Sequence, residues 1–266
     1  MKKNSTFVAL VIVLSILAGW AIWEFVLGNP GNFTDAAREH PAKGNIFGLM
    51  YMGGALVGVL LSLSLMIVTF VIERTLSLSK AKGKKDLEQF LHTAEKHLND
   101  GNLDAVLDLC NQQKGSVANI LRAGVSRFKD IRNSTTLTTE QKTEEVKKTL
   151  DEVTMLETPL MEQNLVILST IASISTMIGL LGTVMGMIRS FRALGESGGG
   201  AAASQLSTGI SEALWNTALG IGGAILAIVF YNFFTNKVDK FTYLIDEASL
   251  NLLETIKTRF LGKSNA

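Results

Sequence analysis

The segment GISEALWNTALGIGGAILAIVFYNFF, from Gly209 to Phe234, holds a single carboxylate, Glu212, in an otherwise apolar run. Thr208, Glu212 and Asn216 recur at spacings of four, and Thr217 flanks them. A second stretch, NLVILSTIASISTMIGLLGTVMGMIRS, carries Ser169, Thr176, Thr183 and Ser190 at intervals of seven. Seven residues make nearly two helical turns, so these hydroxyls share a helix face, with Ser173 close to the same stripe. A charge at mid-membrane costs roughly 3 kcal/mol on insertion scales. A carboxyl held there can be neutral in one state and charged in another, which is what a proton path requires. The bland alternative is that Glu212 bonds a hydroxyl and ties helices together, as Ser and Thr often do in membranes.

Those residues must be positioned by membrane helices. About 20 mostly apolar residues cross roughly 30 Å of hydrocarbon. Four runs qualify: Phe7 to Leu27, Ile46 to Ile72, about Asn164 to Met187, and about Gln205 to Phe234. The last two, joined by a small-residue loop near Ser197 to Ala203, are expected to run antiparallel. A rise of 1.5 Å per residue then brings Thr183, Glu212 and Thr217 to about one level in the outer half of the membrane. Gly179, Gly182 and Gly186 allow a neighbouring backbone to approach closely. The fourth run exceeds a bilayer's need, so tilt or protrusion is expected.

Lys2 and Lys3 precede the first run; Arg74, Lys80, Lys82, Lys84 and Lys85 follow the second; Lys237, Lys240, Lys257, Arg259 and Lys263 follow the fourth. This distribution places both termini and the middle segment in the cytoplasm, with Arg189 and Arg192 as the opposing charges. The first run also resembles a secretory signal, but Trp20, Trp23 and Glu24 stand where small residues would mark cleavage. Tryptophans suit an interfacial belt, so a retained helix is expected. Glu24, at a span's end, has no assigned role.

The expected fold is an all-α integral membrane protein with four transmembrane helices and a cytoplasmic helical extension. Its parts are an N-terminal helix and periplasmic loop (1–45), a second membrane helix (46–78), a cytoplasmic helical region (79–158), a channel-forming helix pair (159–234) and a C-terminal cytoplasmic helix (235–266). In the cytoplasmic region, Leu87, Phe90, Leu91, Ala94 and Leu98 fall at helical spacing, and Gly101 reads as a stop. Further helices fit Leu103 to Gln112 and Ser116 to Arg132. TTEQ offers a helix cap with Gln141 three residues on. That helix is expected to continue from about Glu140 through Leu156 into the third span.

Charged residues make up 18% of the chain, against about 25% in soluble domains. The mean hydropathy is +0.28. A net charge of +1 gives no footprint for nucleic acid. One cysteine, Cys110, forms no internal disulfide and reads as a small core residue. His92 and His97 read as solvated, and no metal, cofactor or nucleotide motif is present, nor a nucleophile–base motif. An enzyme is not expected.

GLLGTVMGMIRSF (Gly179 to Phe191), followed by GISEALWNTALGIGGAILAIVFYNFF, resembles the MotA/TolQ/ExbB proton-channel family, with the closest likeness to its ExbB/TolQ branch. LDLCNQQKGSVANILRAGV (Leu107 to Val125) is similar to that branch's cytoplasmic helices. The resemblance covers most of the chain after Ile46 and is densest from about Leu156 to Phe234. It implies a homo-pentamer in the bacterial inner membrane around two single-span ExbD/TolR-like partners, in some systems with a TonB-like protein. Proton flow would drive motion and pass work across the envelope. It further implies that Thr183, Glu212 and Thr217 line the ion path, assisting an aspartate on the partner. Ser169, Ser173, Thr176, Thr208 and Asn216 are additional pore-lining candidates.

The chain departs from the family pattern at Thr176 and Leu226, where proline is common, which implies straighter helices. Asn216 is an unusual polar choice beside Thr217. Phe7 to Leu27 adds a fourth span to the three common in the branch. Two other readings are carried forward: a stator-type motor subunit for gliding, secretion or motility, and a non-conducting membrane scaffold.

Overall fold

A computed structural model describes residues 2–38, 40–196 and 200–261, with side chains described for 6–38, 40–195, 206, 207 and 209–260. The fold is all-α. Its helices are α1 (Lys2–Ala21), α2 (Ile46–Met52), α3 (Ala55–Lys82), α4 (Leu87–Asn99), α5 (Leu103–Gln113), α6 (Ser116–Ile131), α7 (Thr139–Glu162), α8 (Leu165–Glu196) and α9 (Gly200–Thr255). Single wider turns extend α1 over Ile22–Leu27 and α9 over Ile256–Leu261. Among the described residues the one β-bridge joins Phe33 to Pro41. Four helical stretches are long and apolar enough to cross a membrane: Thr6–Leu27, Ala55–Asn99, Thr139–Gly195 and Gly209–Phe260. The chain divides into two compact units, one of Met1–Ile72 with Asn164–Asn232, the other of Glu73–Gln163 with Phe233–Ala266.

In the first unit, many large apolar side chains point outward, among them Leu17, Val68, Val184 and Val229. On membrane helices such faces are covered by lipid or by other membrane helices. α1 lies tightly on α3, because a Cβ added at Gly19 would sit 2.6 Å from the Ser62 nitrogen. At the end of α1, Trp23 stacks on Tyr51 with ring centroids 4.9 Å apart. Glu24 is ion-paired to Arg38 at 2.8 Å, and Arg38 also donates to the Tyr51 hydroxyl at 3.3 Å. The carboxylate and hydroxyl together hold the Arg38 pKa above its ordinary value. Glu24 therefore fastens the loop after α1.

The second apolar run is not one helix. α2 stops at Met52 and α3 starts at Ala55, with Gly54 at φ +81°. Two adjacent glycines permit this left-handed break within a run whose hydropathy is unbroken. A second break corrects the expected passage of α7 into the third span. α7 ends at Glu162, and Asn164 takes φ +62°, a conformation its short polar side chain tolerates. α9, by contrast, exceeds expectation: 56 residues in one helix, about 84 Å. It begins at Gly200, inside the stretch read as a loop; Ser197, Gly198 and Gly199 lie outside the described residues. α8 and α9 run without interruption through Thr176 and Leu226.

The second unit has a core of the kind found in water. Asp86 caps α4 by accepting from the Glu88 and Gln89 amides, and those bonds hold its carboxyl below the usual carboxylate range. Thr138 and Gln141 form the expected reciprocal cap at the start of α7. Phe90, Val106, Ile120, Leu121, Val125, Phe128, Val146 and Leu150 are buried together with Ile245 and Leu252 of α9. Cys110 is buried there, and burial pushes its thiol up to about 12.

Candidate functional site

The α8–α9 pair is built on small residues in antiparallel register. As positions climb along α8 they descend along α9: Ser175 meets Gly220 and Gly223, Gly179 meets Thr217 and Gly220, Gly182 meets Asn216, Gly186 meets Ala213, and Ser190 meets Gly209. A Cβ at Gly220 would lie 2.6 Å from the Ser175 carbonyl oxygen, and one at Gly186 would lie 2.5 Å from the Ala213 Cβ. Lipid tails are as apolar as leucine, so burial gives these helices little reason to associate. Close backbone approach and interhelical hydrogen bonds supply the reason instead. Ser175, 1% exposed, donates to the Gly220 carbonyl at 3.0 Å.

At the middle of the ladder the Thr183 and Thr217 hydroxyls hydrogen-bond to each other. Thr217 also donates to the Gly179 carbonyl at 3.2 Å, which lies 3.3 Å from the Thr183 hydroxyl. Each hydroxyl can donate and accept, so the pair can change direction by rotation alone. Glu212 stands on the same helix, half-buried, with Arg189 of α8 as an attracting charge. A carboxyl, a cation and a hydroxyl pair thus share one stretch of a helix pair.

The other predicted positions fall in different surroundings. Ser169 donates to the Val166 carbonyl at 2.9 Å, Ser173 to Ser169 at 3.3 Å, and Thr176 to Ala172 at 3.2 Å. These hydroxyls are satisfied by their own helix, so they can stand on its surface without an orphaned donor. Ser190, in the same seven-residue series, is instead buried against Gly209. Asn216 is fully buried and reaches across to Gly53, donating from Nδ2 to its carbonyl at 3.0 Å. The side chain of Thr208 lies outside the described residues. Sequence reasoning passed over Ser175, although its place four residues before Gly179 continues the small-residue pattern.

A family model described as the MotA/TolQ/ExbB proton channel family matches residues 112–247, just over half of the chain. The chain belongs to that family. The matched stretch contains all of α6, α7 and α8 and most of α9, and with them Thr183, Glu212 and Thr217. The chain is 35% identical over 117 residues to an ExbB-like biopolymer transport protein of Synechocystis sp., covering 44% of this chain and 55% of that one. It is 34% identical over 119 residues to the Tol-Pal system protein TolQ of Pseudomonas aeruginosa, covering 45% and 51%. It is 35% identical over 86 residues to the biopolymer transport protein ExbB of Salmonella typhimurium, covering 32% and 35%. The matches span about half the length of these relatives, or less. The chain is an ExbB/TolQ-like, multi-pass membrane member of this proton channel family.

Proposed function

We propose that the protein is the proton-channel subunit of an ExbB/ExbD- or TolQ/TolR-like complex in the bacterial inner membrane. It converts the proton-motive force into mechanical work for transport across the cell envelope. The observation that carries this reading is the Thr183–Thr217 hydroxyl pair bridging α8 and α9, with Glu212 on the same helix pair. In the working complex the chain assembles as a homo-pentamer around the single helices of an ExbD/TolR-like dimer, with both termini in the cytoplasm. Glu212, Thr183 and Thr217 form the polar side of the path and help protonate an acidic group on the partner. Ser169, Ser173 and Thr176 extend that side along α8. A TonB-like protein is one recipient of the work.

The test is proton flux into vesicles that contain the chain with a single-span partner. Glu212→Gln removes the titratable group while keeping size and hydrogen-bonding capacity. It should leave assembly intact and lower flux by about tenfold or more, the scale of losing a positioned proton-transfer group. Native flux in that variant sinks the site assignment. Assembly with no flux in the native complex favours a scaffold.

A further inference from the structure

Asn216 carries an inference that goes beyond the ion path itself. It is completely buried in the membrane unit, and its Oδ1 finds no hydrogen-bond partner among the described residues. An alanine or serine at this place would avoid that desolvation cost. The surrounding backbone is shaped to receive the larger side chain. A Cβ at Gly182 would lie 2.6 Å from the Asn216 Cγ, and a Cβ at Gly53 would lie 3.2 Å from its Nδ2. Both neighbours are glycines where the amide passes.

The amide's one bond explains its presence. Gly53 sits at the break between α2 and α3, where the carbonyls of a terminated helix lose their partners four residues on. Gly53 is buried, so water does not replace them. Asn216 Nδ2 supplies the missing donor at 3.0 Å. The amide orientation follows from chemistry: the Gly53 carbonyl only accepts, so Nδ2 rather than Oδ1 faces it. On α9 the next residue is Thr217, bonded to Thr183. Resting on the functional reading above, we propose that Asn216 is a positioning residue that latches the α2–α3 break to the α8–α9 pair and so keeps the Thr183–Thr217 hydroxyls in register. The break in the second membrane helix is then part of the channel's support. The charged groups near the latch are Arg189, whose Nη1 would lie 3.5 Å from a Cβ at Gly54, and Glu212, one turn earlier on α9.

Hydrogen exchange of the full chain in lipid nanodiscs reads the latch directly, through peptides covering residues 46–58. Asn216→Leu keeps the branched four-atom shape and removes the donor. Exchange of that segment should rise roughly 3- to 20-fold, the equilibrium equivalent of one bond between membrane helices. Proton flux of the assembled complex should fall with it. Asn216→Asp, measured at about pH 3 where an ordinary aspartic acid is mostly protonated, keeps an O–H donor and should exchange more slowly than Asn216→Leu at the same pH. Where Asn216→Leu does not assemble, Asn216→Ala, which adds no atoms, carries the test. Native exchange in the Leu and Ala variants overturns the latch, and so does lost flux with unchanged exchange. These readouts separate the two claims. A native complex without proton flux ends the functional reading and leaves the exchange result standing; unchanged exchange ends the latch and leaves the channel.

Discussion

Gly182 and Gly124 are both glycines at helix crossings, and they meet different things. Gly182 faces the amide of Asn216, with Gly179 and Gly186 opposite Thr217 and Ala213 on the same helix pair. Gly124 is pressed between Leu150 and Leu252, in a core that also holds Phe128 edge-on to Phe260 at 5.2 Å. One contact is made of backbone, hydroxyls and an amide; the other is made of leucine and phenylalanine. The difference follows from solvent. In water, burying apolar area stabilises by about 25 cal/mol per Å², so large side chains hold helices together. In lipid that gain vanishes, and what remains is close packing and polar bonds. It also explains why buried polar residues such as Ser175 and Asn216 can sit in the membrane unit: they belong to the contacts that assemble it.

The largest effect should come from the aqueous-type core. Phe128→Ala removes a side chain of 0% exposure and should cost about 3–5 kcal/mol in chemical denaturation of the purified protein. A cost below about 1 kcal/mol would mean that this unit is not held by apolar burial. Gly186→Leu tests the other material by overpacking. Its side chain must enter the space of Ala213, at a cost of about 1–3 kcal/mol, read as lost thermal stability in lipid. A stabilised variant would show that the ladder is not a close contact.

Cys110 gives a pH test of the buried core. Its thiol titrates ordinarily near 9.0, and burial raises it to about 12. The unfolded chain therefore ionises first. The thiol's contribution to stability is complete below pH 9 and is lost as pH rises toward 12, by about 1.4 kcal/mol per unit in that window. Cys110→Ala should flatten this slope relative to the native chain; identical slopes would refute the assignment. Ser175→Ala should have the smallest effect, about 0.6 kcal/mol for one interhelical bond in a membrane. A much larger loss would show that single hydroxyls dominate the helix pair.

Legibility followed the same divide. The Thr138–Gln141 cap and the apolar face of α4 were readable because their partners lie within a few residues. The pairing of Thr183 with Thr217 was readable in outline from two helix registers facing each other. The seven-residue series was less informative, since equal spacing put Ser169 against its own backbone and Ser190 under Gly209. Periodicity names a face; it does not say what covers each point of that face. The breaks at Gly53–Gly54 and Asn164 escaped hydropathy, because a left-handed residue leaves the apolar count unchanged.

By itself the amino-acid order determined the helical class, the four apolar stretches and the Thr138–Gln141 cap. These are local matters of side-chain solubility and helical period. Tertiary structure alone decided that the second stretch is broken, that α9 is one helix of 56 residues, and that Asn216 answers a carbonyl 163 residues away. A buried polar group takes its meaning from its partner, and that partner is chosen by the fold.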